Sequence, residues 1–209
     1  MNDYELFRLL GGFHGLLFFV CVSTIGMFWL GRQTLKHDLT EKKIVFIGNA
    51  YGHFEGAVER NSLCQLLSQK FSEFEVIGNG FADGNYNNNR SCSYYDTPDI
   101  YNNSYIGISA NCMNDIEGYW SNRPLDIMAA GCCCLMRYTP KAEKWFKDFE
   151  NCVFYNTNEE AARHIETLMS NPDLRNKIAA KGQELVREHH TLDSRAQELK
   201  WLINLHFSL

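Results

Sequence analysis

The sequence lacks the features that mark several common classes of protein. It contains no run of basic residues and its formal net charge is -5 at pH 7, which argues against general affinity for nucleic acid, because such binding needs clustered lysine and arginine. No C-x-x-C pair occurs among the 8 cysteines, and Cys132, Cys133 and Cys134 are consecutive, so their side chains cannot converge on one metal ion. We therefore expect no zinc site and no disulfide framework, and interpret the cysteines as small buried residues in a reducing compartment.

We expect no cleavable signal sequence, because the opening residues MNDYEL contain no basic residue and no clear small-residue cleavage site follows. Residues 12–31 approach the ~20 apolar residues that a membrane helix needs, but His14, Ser23 and several glycines interrupt them. The competing interpretation is a buried strand at 16–22 followed by a helix at 24–36. We favour the strand and helix and predict a cytoplasmic protein, with membrane association through residues 12–31 as the alternative.

From residue 42 onwards, short apolar runs alternate with amphipathic segments. Strands are predicted at 44–47, 75–81, 105–109, 132–136 and 152–155, and helices at 60–71, 98–103, 122–130, 141–147, 157–169, 172–189 and 193–205. The polar, asparagine-rich residues 82–97 are predicted to form a loop. Strands that alternate with helices form a parallel sheet. The predicted fold is therefore α/β, with a Rossmann-like parallel sheet flanked by helices in a domain at 41–209. Residues 1–40 are interpreted as a linker or as the remnant of an N-terminal domain.

The segment SNRPLDIMAAGCCCLM carries the strongest candidate site. Ser121 or Asn122 is expected to cap a helix that Gly131 ends. Free amides and the positive end of the helix dipole favour an anion there, and Arg123 can grip a phosphate with two donors. Asp126 lies one turn further along, on roughly the same face. The arrangement indicates a nucleotide site, with phosphates at the amides and ribose hydroxyls at Asp126, whereas an ordinary surface ion pair is the alternative interpretation.

A second candidate segment follows the first predicted strand. Gly48 and Asn49 begin a glycine-bearing loop, and a strand, a glycine loop and a helix form the first unit of a nucleotide-binding α/β fold. The dinucleotide pattern G-x-G-x-x-G is absent, so this loop is weak evidence by itself. Residues 111–120, which include Glu117, are predicted to reach the same edge of the sheet, where ligands bind in open parallel sheets.

Together these segments resemble the C-terminal, donor-binding half of group 1 glycosyltransferases with the GT-B fold, especially the branch similar to spore-maturation proteins. The resemblance covers about residues 42–200. It rests on KKIVFIGN (42–49) with Arg60 downstream, EVIGNGF (75–81), YNNSYIGIS (101–109), SNRPLDIMAAG (121–131) and NPDLRNKIAAKGQELVREHHTLDSR (171–195).

The resemblance implies that the chain binds a nucleoside-diphosphate sugar and transfers the sugar to an acceptor. It implies that Arg123 approaches the diphosphate and Asp126 the ribose, with aspartate in place of the usual glutamate. Where related enzymes carry a further glutamate, this chain has Gly118, so the neighbouring Glu117 becomes the candidate sugar contact. The predicted site comprises Arg123 and Glu117 as catalytic residues, and Gly48, Asn49, Arg60, Ser121, Asn122, Arg123 and Asp126 as binding residues. We expect no metal and no other cofactor, because arginine and helix amides can stabilise the leaving diphosphate.

Three functions remain open from the sequence. The first is a glycosyltransferase or its donor-binding part. At most 40 residues precede the donor half, so the chain is interpreted as a fragment, a compact variant or one chain of a split enzyme, with a partner chain or a second copy as the possible source of the acceptor side. The second is a non-catalytic nucleotide-sugar-binding module or one subunit of a split enzyme. The third, a membrane-anchored partner protein, rests on residues 12–31 alone.

Overall fold

The computed structural model describes residues 43–50, 52, 55–81 and 92–207. The chain divides into two compact units: Lys36–Arg187 contains the sheet, and the other includes Glu188–Leu209. The strand predicted at 16–22, the helix at 24–36 and the candidate membrane segment at 12–31 lie outside the described residues, and the predicted domain boundary at residue 40 stays a prediction. None of the helices in the described ranges is long and apolar enough to cross a membrane.

Five parallel strands form the sheet, in the order β2-β1-β3-β4-β5. They are β1 (Lys43–Ile47), β2 (Phe74–Ile77), β3 (Ser104–Ser109), β4 (Cys133–Arg137) and β5 (Val153–Tyr155). Nearly every strand residue is buried, which is the pattern of a parallel sheet covered on both faces and explains why the strands are short apolar runs in the sequence. The predicted α/β fold with a Rossmann-like parallel sheet is confirmed.

Helices complete the core around the sheet. They are α1 (Glu55–Lys70), α2 (Thr97–Asn102), α3 (Arg123–Ala129), α4 (Asn158–Ser170) and α5 (Pro172–His189). Helix α6 (Leu192–Phe207) lies in the other compact unit. Helices α1 and α4 pack on each other and on the sheet, and α2 and α3 pack on each other and on β3. This arrangement brings the start of α3 and the first turns of α1 to the carboxyl edge of the strands.

Helix α1 begins at Glu55 rather than at the predicted residue 60. Its first turn lies against the loop after β3, where the Gly56 N–H donates to the Cys112 carbonyl at 3.1 Å. A Cβ atom at Gly56 would lie 2.5 Å from the Asn111 carbonyl oxygen. Only a glycine allows this close approach, so the start of α1 depends on a contact with a distant loop that the local pattern does not contain.

Three other predicted boundaries are wrong. Strand β2 ends at Ile77 instead of residue 81 because Gly78 adopts a φ of 150°. The predicted helix at 141–147 is only a 3₁₀ turn, Ala142–Lys144, which Lys141 precedes with a left-handed φ of 66°. A 3₁₀ turn at Tyr94–Asp96 also shortens the loop predicted at 82–97.

Candidate functional site

Two arginines converge on one carbonyl oxygen at the carboxyl edge of the sheet. Arg60, from α1, donates to the Ala110 oxygen through Nε at 2.9 Å and Nη2 at 2.7 Å, and its Nη1 donates to the Asn49 oxygen at 2.7 Å. Arg123, the first residue of α3, donates from Nη1 to the same Ala110 oxygen at 2.9 Å and from Nε to the Ile47 oxygen at 2.7 Å. The ends of β1 and β3 are therefore joined through two guanidinium groups.

This arginine pair carries two positive charges with little local compensation. No carboxylate among the described residues forms an ion pair with Arg60 or Arg123. Arg60 is only 6% exposed, and its burial, together with the charge of Arg123, lowers its pKa. Arg123 is half-buried and lies over the Phe46 ring, 5.2 Å from the centroid. Two adjacent cations in a partly dehydrated place favour an anion as the third member.

Gly48 gives Arg123 its space. A Cβ atom at Gly48 would lie 2.7 Å from Arg123 Nη2, so a larger residue there would displace the guanidinium. The Gly48 N–H donates to the Ile77 oxygen at 2.9 Å, and Asn49 Oδ1 accepts from the Asn79 N–H at 2.8 Å. The amide of Gly48, one of the predicted binding residues, is therefore engaged within the protein, and Gly48 acts here through its lack of a side chain.

Asp126 lies one turn into α3 and is half-buried. Burial raises the pKa of its carboxyl group to about 6, against an opposing effect of Arg123. No described residue donates a hydrogen bond to this carboxylate, and an ionised carboxylate in such surroundings is costly unless donors reach it. The hydroxyl groups of a ribose are donors of the required kind.

Ser121 and Asn122 do not cap α3 as predicted. Asn122 precedes the helix with helical angles, φ -64° and ψ -20°, and makes no side-chain cap hydrogen bond, whereas a capping residue needs an extended backbone. The Ser121 N–H donates instead to Asn111 Oδ1 at 3.1 Å. Ser121 Oγ and Asn111 Nδ2 are both buried without a hydrogen-bond partner among the described residues, so the hydrogen-bonding capacity of this junction is not fully used by the described residues.

Glu117 lies on the loop between β3 and α3. Its carboxylate pairs with Lys141 Nζ, and both side chains are largely exposed. The next residue, Gly118, has a φ of 69°, a conformation that favours glycine over a side-chain-bearing residue such as glutamate. The structure thus brings Gly48, Asn49, Arg60 and Arg123 into direct contact, and sets Glu117 apart from them in an ion pair with Lys141.

Sequence reasoning missed a polar cluster next to Arg60. Glu59 accepts from Arg137 Nε at 2.5 Å and from Asn114 Nδ2 at 2.6 Å, which joins α1, the end of β4 and the loop after β3. The position of Arg137 at the carboxyl end of a predicted strand was a signal that could have found it. Nothing in the local sequence around Glu59 or Asn114 marks their partnership.

In the described part of the chain, no group of three or more histidine, cysteine, aspartate or glutamate side chains could hold a metal ion. The expected independence from metal stays a prediction.

A family model described as glycosyl transferase-like matches residues 37–200. The chain belongs to this family. No curated protein matches it at a significant level.

Solved structures share the fold of this glycosyl transferase-like chain. The C-terminal domain of the group 1 glycosyl transferase family protein LpcC from Francisella tularensis is 17% identical with a TM-score of 0.54, and the match covers 72% of this chain and 87% of that one. HepE from Anabaena, solved with UDP-glucose, is 11% identical with a TM-score of 0.61, over 79% of this chain and 50% of HepE.

Sucrose-phosphate synthase from Thermosynechococcus elongatus is 11% identical with a TM-score of 0.63, over 83% of this chain and 47% of the synthase. The matched part of the glycosyl transferase-like chain thus spans about half the length of HepE and of the synthase. The fold is that of the C-terminal half of a group 1 glycosyltransferase.

Proposed function

We propose that this chain binds a nucleoside-diphosphate sugar at the carboxyl edge of its sheet and acts as the donor-binding half of a glycosyltransferase. One observation carries the proposal: Arg60 and Arg123 converge on the Ala110 oxygen with no ion-paired carboxylate among the described residues. The complexes of HepE with UDP and with UDP-glucose support a nucleotide sugar as the anion.

The two arginines have different roles in this proposal. Arg123 is the residue that meets the diphosphate, because its Nη2 donates to no described residue and its side chain is half-buried rather than fully enclosed. All three nitrogens of the Arg60 guanidinium donate to backbone carbonyls. Arg60 therefore positions the loops after β1 and β3 and contributes a second positive charge to the site. Asp126 accepts from the ribose hydroxyls, which compensates its buried charge.

In the transfer step, the bond between the sugar C1 and the diphosphate oxygen breaks, and a bond forms between C1 and the oxygen of an acceptor hydroxyl, whose proton passes to the leaving diphosphate. Negative charge grows on the leaving diphosphate, and a guanidinium already fixed by two carbonyl oxygens can stabilise that charge without reorganising. One preorganised donor of this kind is typically worth ~3–4 kcal/mol in the transition state. Glu117 remains the proposed contact to the sugar.

Binding measured by calorimetry tests the proposal. UDP, GDP, ADP and one sugar conjugate of each would be titrated into the chain in the presence of EDTA, since we propose that binding needs no metal. At least one pair should bind, and Arg123→Ala should weaken binding by about 10- to 100-fold through loss of a charge-assisted hydrogen bond. Arg163→Ala, which removes an exposed arginine of α4, is the matched control and should bind normally. Equal affinity in the Arg123 and Arg163 variants would refute the proposal.

The alternative function, a non-catalytic nucleotide-sugar-binding module, gives the same binding result. Release of free sugar or of a glycosylated product from the bound nucleotide sugar distinguishes the two, because a binding module releases neither. The spore-maturation branch of the family, an acceptor side from a partner chain or a second copy, and a cytoplasmic location stay predictions.

A further inference from the structure

Trp145 presents a firmly held aromatic ring to solvent. It follows the 3₁₀ turn Ala142–Lys144 and is 37% exposed. The buried Trp120 lies against it, with ring centroids 6.3 Å apart, and Trp120 in turn packs on Phe146 at 5.0 Å. Packing on buried aromatic rings fixes the position of Trp145, although the ring remains accessible.

Gly118 leaves the edge of that ring uncovered. Its N–H donates to the Pro140 oxygen at 2.9 Å, which ties the loop after β3 to the segment that carries Trp145. A Cβ atom at Gly118 would already lie 3.4 Å from Trp145 Cη2, so a side chain at residue 118 would contact the edge of the ring. Because residue 118 is glycine, none of its atoms occupies the space beside this edge of the indole.

An ion pair joins the two segments that carry Gly118 and Trp145. Glu117 and Lys141 pair with each other across the same two segments, one directly before Gly118 and the other four residues before Trp145. Their side chains are 59% and 46% exposed, so the carboxylate and the ammonium group keep hydrogen-bonding capacity for a further partner. An aromatic ring flanked by a few polar groups is a common form of small-molecule site.

Tyr119 connects this surface to the arginine pair. It follows Gly118 directly and is half-buried. Burial and the nearby Cys112 raise the pKa of its hydroxyl, whereas Arg60 and Arg123 lower it, so the side chain lies within electrostatic reach of both guanidinium groups. Residues 118–123 are continuous in the chain, so a segment of six residues joins the glycine beside the indole to Arg123.

We propose that Trp145 is a stacking platform for the pyranose ring of the donor sugar, with Glu117 and Lys141 as hydrogen-bond partners of its hydroxyl groups. This inference rests on the proposed function. A pyranose ring has an apolar face of C–H groups that packs on an indole, and a rim of hydroxyl groups that accept from an ammonium group and donate to a carboxylate. The ligand class is thus a hexopyranose attached to a nucleoside diphosphate.

Comparing a nucleoside diphosphate with its sugar conjugate isolates this platform from the rest of the site. The dissociation constants of UDP and UDP-glucose, GDP and GDP-mannose, and ADP and ADP-glucose would be measured for the full chain and for Trp145→Ala, Trp145→Phe and Trp201→Ala. Trp201 is 61% exposed on α6 and serves as the matched control. Melting temperatures and nucleotide binding of each variant report on folding.

For the pair that binds, Trp145→Ala should weaken the binding of the sugar conjugate by about tenfold and leave the affinity for the nucleoside diphosphate unchanged. Trp145→Phe should retain most of the affinity, and Trp201→Ala all of it. An equal change for the conjugate and the nucleotide, or no change for either, would overturn the platform alone. Failure of the unaltered chain to bind any of the three pairs would overturn the proposed function and the platform with it. Free glucose or mannose that binds as tightly as the conjugate would identify an acceptor subsite and also overturn the inference.

Discussion

Arg60 and Arg123 donate three hydrogen bonds to one acceptor, the Ala110 carbonyl oxygen. A carbonyl oxygen has two lone pairs, so it cannot accept three hydrogen bonds of equal strength. The arrangement is stable only if each guanidinium has other partners, which are the Asn49 oxygen for Arg60 and the Ile47 oxygen for Arg123. Both arginines therefore contribute to the fold, but to different degrees.

Replacing Arg60 should destabilise the protein far more than replacing Arg123. Arg60→Met leaves the Asn49 oxygen without its donor and removes both donors of a buried side chain from the Ala110 oxygen, which should lower the free energy of unfolding by about 2–4 kcal/mol. Arg123→Met leaves Ala110 with Arg60 and should cost less than about 1.5 kcal/mol. Urea unfolding of the two variants measures the difference. Equal losses would mean that Arg123 is as structural as Arg60.

Alanine at Gly78 should be poorly tolerated. Its φ of 150° is strained for any side-chain-bearing residue, and a Cβ atom would lie 1.8 Å from the Gly48 oxygen, a backbone atom that cannot move without shifting the loop near Arg123. We expect a loss of at least about 3 kcal/mol for Gly78→Ala. Gly52→Ala is the control, because no atom of the described residues lies within 4 Å of a Cβ at that position, and thermal unfolding should show little change for it.

Asp126 should make the stability of the free protein fall as pH rises. Its folded-state pKa of about 6 lies above the ordinary 3.8, so the folded state holds a proton that the unfolded state releases. The favourable contribution is complete below about pH 4 and is lost as pH rises through about 6. Asp126→Asn should therefore unfold with the same free energy as the unaltered protein near pH 4 and be about 1–2 kcal/mol more stable near pH 8. A constant difference between the two proteins across this range would contradict the raised pKa.

The same carboxyl group should give donor binding a pH dependence. A ribose hydroxyl donates to the ionised form, so affinity for UDP-glucose should increase as pH rises through about 6, and Asp126→Asn should flatten the profile. UDP-glucose is preferable to UDP for this titration, because the terminal phosphate of UDP itself titrates near neutral pH. A profile that remains in Asp126→Asn would assign the dependence to another group.

Glu59 and Arg137 should show strong energetic coupling. The pair is partly buried, and Glu59 also accepts from Asn114. Glu59→Gln and Arg137→Met should each lower the free energy of unfolding, and the double variant should lose less than the sum by about 1–2 kcal/mol. A double-mutant cycle measured by urea unfolding provides the coupling energy. Strict additivity would show that Glu59 and Arg137 act independently.

The fold followed from the sequence because its signals are local. The predictions fall within two residues of the observed bounds for the strands β1, β3, β4 and β5 and the helices α4 and α5. The strands are buried on both faces and form apolar runs, whereas the helices are buried on one side and show a helical period of apolar residues. The errors fall where a distant contact decides. Helix α1 starts earlier than predicted because Gly56 approaches the loop at Asn111. Lys141 adopts a left-handed backbone conformation that nothing in the local sequence predicts.

The candidate site was predictable in its members but not in its bonding. Parallel strands direct the residues after β1 and β3 to one edge, so the meeting of Gly48 with Arg123 could be expected from topology. The partners of Arg60 could not, because they are backbone carbonyls, which every residue possesses and no pattern distinguishes. The same holds for the Ser121 amide, which bonds to Asn111 rather than lying free at the start of a helix.

Three consecutive cysteines lie at the start of β4: Cys133 and Cys134 in the strand and Cys132 directly before it. The rate at which their thiols react reports how often the sheet opens. Burial raises the pKa of Cys133 to about 12 and that of Cys134 well above its ordinary range, so neither thiol reacts while the strand is paired on both sides. Half-buried Cys92 and Cys112 should be alkylated first. The rate at which Cys133 and Cys134 are then alkylated, followed by mass spectrometry, would measure how often β4 separates from its neighbouring strands. No probe needs to be engineered into the protein for this measurement.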